Sequence, residues 1–261
     1  MKEIIKHYQS VREDLRLGES WGALELARTQ ELIQRYLAAA PGVIVDAGGG
    51  PGAYAGWLAG LGYAVHLIDP VARHVEQAAR LQLSSAQVGD ARSLPFADAT
   101  ADAVLLLGPL YHLTERTHRL AALAEARRVL RPAGRLFAAA ISRFASLLDS
   151  LVRGFVDDPQ FRKILDRDLA EGQHRNPTSR PEYFTTAYFH RPHELSEEAI
   201  EAGFLDVEVF AVEGPGWLAR DFDDRWADSA RRGCLLELMR QVEREPALMG
   251  ISPHLLVVAR N

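Results

Sequence analysis

The polar and apolar positions along the chain change period twice. Ile4, Tyr8, Val11 and Leu15 recur at helical spacing, and a second helical pattern runs from about Ser20 to Leu37 before Pro41-Gly42 ends it. From Val43 short apolar runs alternate with helical text: "VIVDA", a helix from about Ala53, "AVHLID", a helix from about Val71, "AQVGD", "ADAVLLL", the helical "TERTHRLAALAEARRVL" and "GRLFAAA". Strand and helix alternating at these lengths predict an α/β fold with a doubly wound, Rossmann-like parallel sheet. Right-handed crossovers then bring Asp46, Asp69, Asp90 and Gly108 to one rim of that sheet.

Beyond Ser142 the pattern changes again. Helical stretches ("ASLLDSLVRGFV", "FRKILDRDLAEG") lead into the polar loop "QHRNPTSRPEYFTTAYFH", which shows no clear strand. This segment reads as a helical cap inserted into the sheet domain. A helix from about Pro192 to Ala202, the strand "DVEVFAVEG", more helix to about Glu245 and a final strand "HLLVVAR" complete a sheet of about seven strands, the last antiparallel. The expected organisation is therefore N-terminal helices over the site (1–42), a cofactor-binding core (43–142), a cap (143–190) and the C-terminal part of the sheet (191–261).

Composition narrows the classes. A chain of 261 residues with 48% hydrophobic and 25% charged residues can bury a substantial core. A formal charge of −5 gives no general attraction for phosphate backbones. The arginine groups Arg127, Arg128 and Arg131, and Arg231 and Arg232, fall near expected helix ends, where cations suit the helix dipole. Cys234 is the only cysteine, so neither an internal disulfide nor a cysteine metal cluster is available. No run reaches the length of a membrane span or a signal-peptide core, and the expected location is cytoplasmic.

Glycines after the first strand let backbone amides and a helix N-terminus face a ligand. Gly48, Gly50 and Ala53 satisfy a dinucleotide spacing loosely, and Asp69 at the end of the next strand suits the ribose hydroxyls of NAD or of another adenosine cofactor. Asp69 also suits a cap on the helix after Pro70, and Asp90 a plain turn.

The remaining rim text separates these cofactors. Asp46-Ala47-Gly48-Gly49-Gly50-Pro51-Gly52 matches the D-x-G-x-G-x-G loop of the class I S-adenosylmethionine-dependent methyltransferases, "GDARSLPF" resembles their adenine motif, "LLLGPLYHL" their fourth-strand motif, and "EARRVLRPAGRLFAA" their fifth-strand region. The resemblance spans about Val43 to Ala140. It implies S-adenosyl-L-methionine as cofactor. Asp46, Ala47, Gly48, Gly50 and Gly52 would then surround the methionine part, Asp69 and Pro70 the ribose, Asp90 and Ala91 the adenine, and the carbonyls of Leu107 and Gly108 the methionine end.

The acceptor is less legible, because a sulfonium needs mainly an aligned nucleophile and exclusion of water. No [DN]-P-P-[YFW] run follows the fourth strand, where the text is Gly108-Pro109-Leu110-Tyr111, and no Pro-Cys nucleophile is present. These features favour a small-molecule acceptor, with no nucleic-acid or membrane partner and a monomer or homodimer expected. Catalytic candidates are His112 as a base, Tyr111 beside it, Tyr8 with His7 from the N-terminal helix, and His190. Aromatic walls are expected from Tyr183, Tyr188 and Trp217, with Phe184 and Phe189 as cap core. Glu213 to Trp217 reads as a shaped loop at the same mouth, and His254 opens the final strand. No metal-ligand spacing occurs, so no metal is expected. The rival readings are an NAD-dependent oxidoreductase, a non-catalytic cofactor-binding module and a protein methyltransferase.

Overall fold

The computed structural model describes residues 2–10, 13–178 and 180–261; Val11 of the first helical stripe lies outside them. The N-terminal text forms α1 (Lys2–Ser10), α2 (Glu13–Arg16) and α3 (Trp21–Tyr36). The alternating region gives β1 (Val43–Ala47), α4 (Ala53–Gly60), β2 (Ala64–Asp69), α5 (Ala72–Ala78), β3 (Ser85–Val88), β4 (Ala101–Leu106), α6 (Pro109–His112), α7 (Arg116–Val129) and β5 (Leu130–Ser142). The cap holds α8 (Ala145–Arg153), α9 (Pro159–Glu171), β6 (Gln173–His174) and β7 (Ala187–His190). α10 (Pro192–Glu201), β8 (Leu205–Ala211), α11 (Phe222–Ala227), α12 (Ser229–Val242), α13 (Pro246–Met249) and β9 (His254–Arg260) follow.

The main sheet has the order β3-β2-β1-β4-β5-β9-β8, with β9 antiparallel to both neighbours and the other pairings in the β3-to-β5 half parallel. This is the seven-stranded Rossmann-like arrangement expected from the alternation. Its strands are apolar on both faces because helices cover both. Val45, Ile68, Val104 and Leu136 pack on one side with Leu123 of α7 and Leu195 of α10. Ile44, Val65, Leu105 and Phe137 pack on the other with Leu32 and Ile33 of α3 and Leu58 of α4.

The cap differs from its expectation as pure helix and loop. β7 runs parallel to the end of β5, pairing Ile141 with Phe189 and Ser142 with His190, and β6 pairs antiparallel with β7. Strands of two and four residues are too short to show a period of two in the text. They join this segment to the end of β5. No helix among the described residues is long and apolar enough to cross a membrane.

Candidate active site

Strand order reverses between β2 and β4 on either side of β1, and the crevice beyond the strand ends at such a switch point is where open α/β sheets take ligands. A narrow cleft lies there, lined by Asp46, the Gly48–Pro51 turn, Asp69, Pro70, Asp90, Ala91, Leu107 and Gly108. Ile4 and Tyr8 of α1 form part of its wall. Of the sequence-derived cofactor residues, only Ala47 and Gly52 are outside the lining; Ala47 is fully buried in the core, and Gly52 begins α4 behind the turn.

Two backbone positions shape the cleft. Gly48 has φ +78°, and a Cβ there would stand 2.5 Å from Cγ of Pro109; a Cβ on Gly49 would stand 2.5 Å from Oδ2 of Asp46. The missing side chains leave amides and a carboxylate as the walls of the crevice.

The three rim carboxylates differ in how far they are already engaged. Asp46 is fully buried, neither of its oxygens has a hydrogen-bond partner, and burial, with a smaller contribution from Asp69, pushes its pKa up to about 7. An unpartnered carboxylate on a cleft wall is suited to a cation. Asp69 accepts from the amide of Gly50 at 2.9 Å through Oδ2 and from the amide of Val71 at 2.8 Å through Oδ1, with His74 Nδ1 at 3.2 Å. The bond to Val71 closes a turn ahead of α5 and is not a cap on the helix, whose N-cap is Val71 itself. Asp90 is gripped by Arg92, whose Nε donates at 2.9 Å and Nη2 at 2.5 Å, and these bonds hold its carboxyl below the usual range. Arg92 was not apparent as part of the site from the sequence.

At the open end of the cleft, Tyr8 hydroxyl and His112 Nε2 are 2.8 Å apart, and His112 Nδ1 lies 3.2 Å from the carbonyl of Thr186. A carbonyl only accepts, so Nδ1 carries the imidazole proton, Nε2 accepts, and the tyrosine donates to it. Burial pulls His112 down to about 4 and raises Tyr8 above its ordinary value. Both groups are therefore neutral at physiological pH, and the tyrosine oxygen keeps its lone pairs for a ligand.

A second cavity of about 680 Å³ adjoins the first and shares Tyr8, Glu13, Arg16 and Tyr111 with it. Its walls come from the N-terminal helices (Trp21, Glu25), the cap (Tyr183, Phe184, Phe189) and the C-terminal segment (Trp217, His254). Trp217 is held by its Nε1 donating to the carbonyl of Ile251 at 3.0 Å and meets Trp21 edge to face at 5.4 Å. Tyr183 packs with Phe155 and Phe161, and its hydroxyl donates to Asp158 at 2.7 Å.

Tyr188 and His190 line neither cavity. Alternate residues of a strand face opposite ways, and on β7 Phe189 faces the chamber while its two neighbours engage a buried polar group. Tyr188 lies under the guanidinium of Arg119 at 3.8 Å, and His190 Nε2 is 3.3 Å from Glu198.

The sequence offered no metal-ligand spacing, yet the fold assembles Glu25, Glu213 and His254 with their ligand atoms within 4.8 Å of one another. His254 Nδ1 is 2.6 Å from Glu213 and 3.7 Å from Glu25, and Arg16 holds Glu25 at 2.5 Å. Although burial opposes it, the two carboxylates raise His254 to about 9. A proton therefore occupies the centre of this group at neutral pH.

Comparison with known proteins agrees with the site. Residues 45–138 match a family model described as a methyltransferase domain. No curated protein sequence matches the chain. Among solved structures the chain is similar to an S-adenosylmethionine-dependent methyltransferase from Mesorhizobium loti (18% identity, 91% of this chain and 100% of that one, TM-score 0.60). It is also similar to a chain in the complex between the Haloferax volcanii Trm112 methyltransferase activator and a putative methyltransferase (19% identity, 99% and 97%, TM-score 0.60). A third likeness is to the 1,6-didemethyltoxoflavin-N1-methyltransferase of Burkholderia thailandensis, solved with 1,6-didemethyltoxoflavin and S-adenosylhomocysteine (16% identity, 100% and 86%, TM-score 0.58). At such identities the structural likeness speaks for the fold, and the family match for the domain. Residues 45–138 carry a methyltransferase domain. It is an S-adenosylmethionine-dependent enzyme, and methyl transfer is its chemistry.

Proposed function

We propose that the acceptor is a small molecule, methylated on oxygen or nitrogen, with carbon as the less favoured atom, by in-line displacement at the junction of the two cavities. The carrying observation is the second cavity, whose volume of about 680 Å³ falls within the usual range for small-ligand sites. The residues of the first cleft fit S-adenosylmethionine by their chemistry. When bound, this cofactor supplies a methyl group on a positively charged, electrophilic sulfur.

In this reading Asp46 receives the α-ammonium, and Arg16, which lines both cavities, faces the carboxylate. Asp69 takes the ribose hydroxyls with its remaining lone pairs, Asp90 and Ala91 hold the adenine edge, and the Leu107 and Gly108 backbone borders the reacting end. Tyr8, its proton committed to His112, accepts a hydrogen bond from the acceptor's O–H or N–H and so aims the atom. α1 excludes water from the junction. With His112 held near 4, its protonation does not limit turnover at pH 6 or above. The enzyme is read as cytoplasmic, acting as a monomer or homodimer without nucleic acid.

The test is calorimetric titration with S-adenosylhomocysteine, with NAD as control. Micromolar binding that weakens at least about tenfold in Asp69→Ala, a loss of about 1.4 kcal/mol, supports the assignment. Preferential binding of NAD overturns it. A pH series adds a second check: the bound ammonium favours ionised Asp46, so binding releases a proton and affinity rises as pH climbs toward 7. About a tenfold gain between pH 5.5 and 7 is expected, flattened in Asp46→Asn.

A further inference from the structure

The second cavity carries more negative than positive charge in a defined arrangement. Along one wall Glu13, Arg16, Glu25, His254 and Glu213 form an alternating ladder. Arg16 donates to Glu13 at 2.6 Å and to Glu25 at 2.5 Å, His254 lies 3.7 Å from Glu25, and Glu213 accepts from His254 at 2.6 Å. The ladder has three carboxylates and two cations, because the paired carboxylates keep His254 protonated through neutral pH. It ends on a carboxylate at both ends, and all five side chains line the chamber.

The rest of the lining does not cancel this charge. Asp149 is matched by Arg153 at 2.9 Å, and Glu182 by Arg180 at 2.9 Å. Glu19 is exposed on the lining and adds a further carboxylate. Between these charges stand Trp21, Trp217, Tyr8, Tyr111 and Phe184, whose ring faces favour cations and whose bulk keeps the local dielectric low. A surplus negative charge beside such rings attracts a cation.

We infer that the acceptor belongs to the class of small aromatic or apolar molecules bearing a protonated amine, with the amine held by the carboxylate surplus of this chamber. The inference rests on the small-molecule reading above and narrows it. The ammonium so held is a recognition group; the atom that receives the methyl group lies at the Tyr8 and Tyr111 end. A neutral or anionic molecule of the same shape leaves the surplus unmatched, and an anion adds to it.

The experiment uses three indoles of similar size: tryptamine, 3-propylindole and indole-3-propionate, which at pH 7.5 are cation, neutral and anion. Each is titrated into the full chain saturated with S-adenosylhomocysteine. Expected is tryptamine binding at least about tenfold tighter than 3-propylindole, with indole-3-propionate weakest. That preference should weaken as salt rises and fall about fivefold in Glu13→Gln, while Glu197→Gln, exposed and outside both cavities, leaves it unchanged.

Equal or reversed preference, or no binding of any of the three at 10 mM, overturns the inference. So does stoichiometric micromolar binding of Mn²⁺ that is lost in Glu213→Gln, because the surplus would then serve a metal ion. The titration of S-adenosylhomocysteine itself separates the two levels. If it binds and the indoles show no charge preference, only the acceptor class fails; if it does not bind, the methyltransferase site itself fails.

Discussion

Gly48→Ala is expected to lower affinity for S-adenosylhomocysteine at least about a hundredfold, or about 2.7 kcal/mol, the largest effect of any single change in the cleft. Two costs act together. Alanine must adopt φ +78°, and its Cβ would meet Pro109 Cγ at 2.5 Å and Cδ at 2.6 Å. Left-handed backbone and overpacking together cost about 2–5 kcal/mol, and a proline ring has no rotamer by which to step aside. Relief requires either the glycine turn or the first residue of α6 to move. Movement of α6 displaces Tyr111 and His112, which it carries, and movement of the turn displaces the Gly50 amide bound to Asp69. Gly60→Ala is the matched control, since its Cβ meets nothing within 4 Å; there affinity should stay within about twofold and stability should rise slightly. An affinity of the Gly48 variant within threefold of the parent would show that the turn does not shape the cofactor cleft.

The contrast between Gly48 and Arg16 shows what the text of the chain can reveal. The glycine turn, the strand-end carboxylates and Gly108 are local features whose relative placement follows from strand and helix alternation alone, so the cleft they line is readable in one dimension. Arg16 is equally part of that lining, but beside Glu13 it reads as an ordinary solvated helix pair. Its second partner, Glu25, and the group around His254 come from three distant segments, and no spacing rule connects them. His112 reads as a rim residue and Tyr8 as part of the first helix's apolar stripe, and their bond joins positions 104 residues apart. On β7 the difficulty is smaller and still decisive. With only four residues no alternation can be phased, so Tyr188 reads as a chamber wall and His190 as a catalytic candidate, whereas the strand turns both toward Arg119 and Glu198.

That buried group sets the second large expectation, a loss of about 3–5 kcal/mol of stability in Arg119→Ala. Arg119 is 2% exposed and donates to Glu198 through Nε at 2.9 Å and Nη2 at 2.6 Å, while its Nη1 reaches the carbonyls of Leu113 and Thr114, both at 3.0 Å. Removing it leaves the buried Glu198 carboxylate with His190 at 3.3 Å and Arg116 at 3.9 Å, takes the arginine donor from the Leu113 carbonyl and leaves the Thr114 carbonyl to Gln173 Nε2, so the stability loss should bring a loss of activity. A fall in melting temperature of about 10 °C or more is expected at pH 7. Arg119→Met with Glu198→Met, which removes both charges, should recover at least half of it. The pH dependence has a definite sign. Burial favours the protonated form of Glu198, but its bonds to His190 and Arg119 outweigh this and hold the carboxyl at about 2. A depressed acid contributes its full stability above its unfolded pKa and loses it as pH falls through the folded one. The gap between parent and Arg119→Ala should therefore be widest above about pH 4.5 and narrow by about 1 kcal/mol for each unit below it. Melting curves at pH 7 and pH 3 that differ by the same amount for both proteins would show that the arginine acts through packing against Tyr188 and not through the carboxylate it holds.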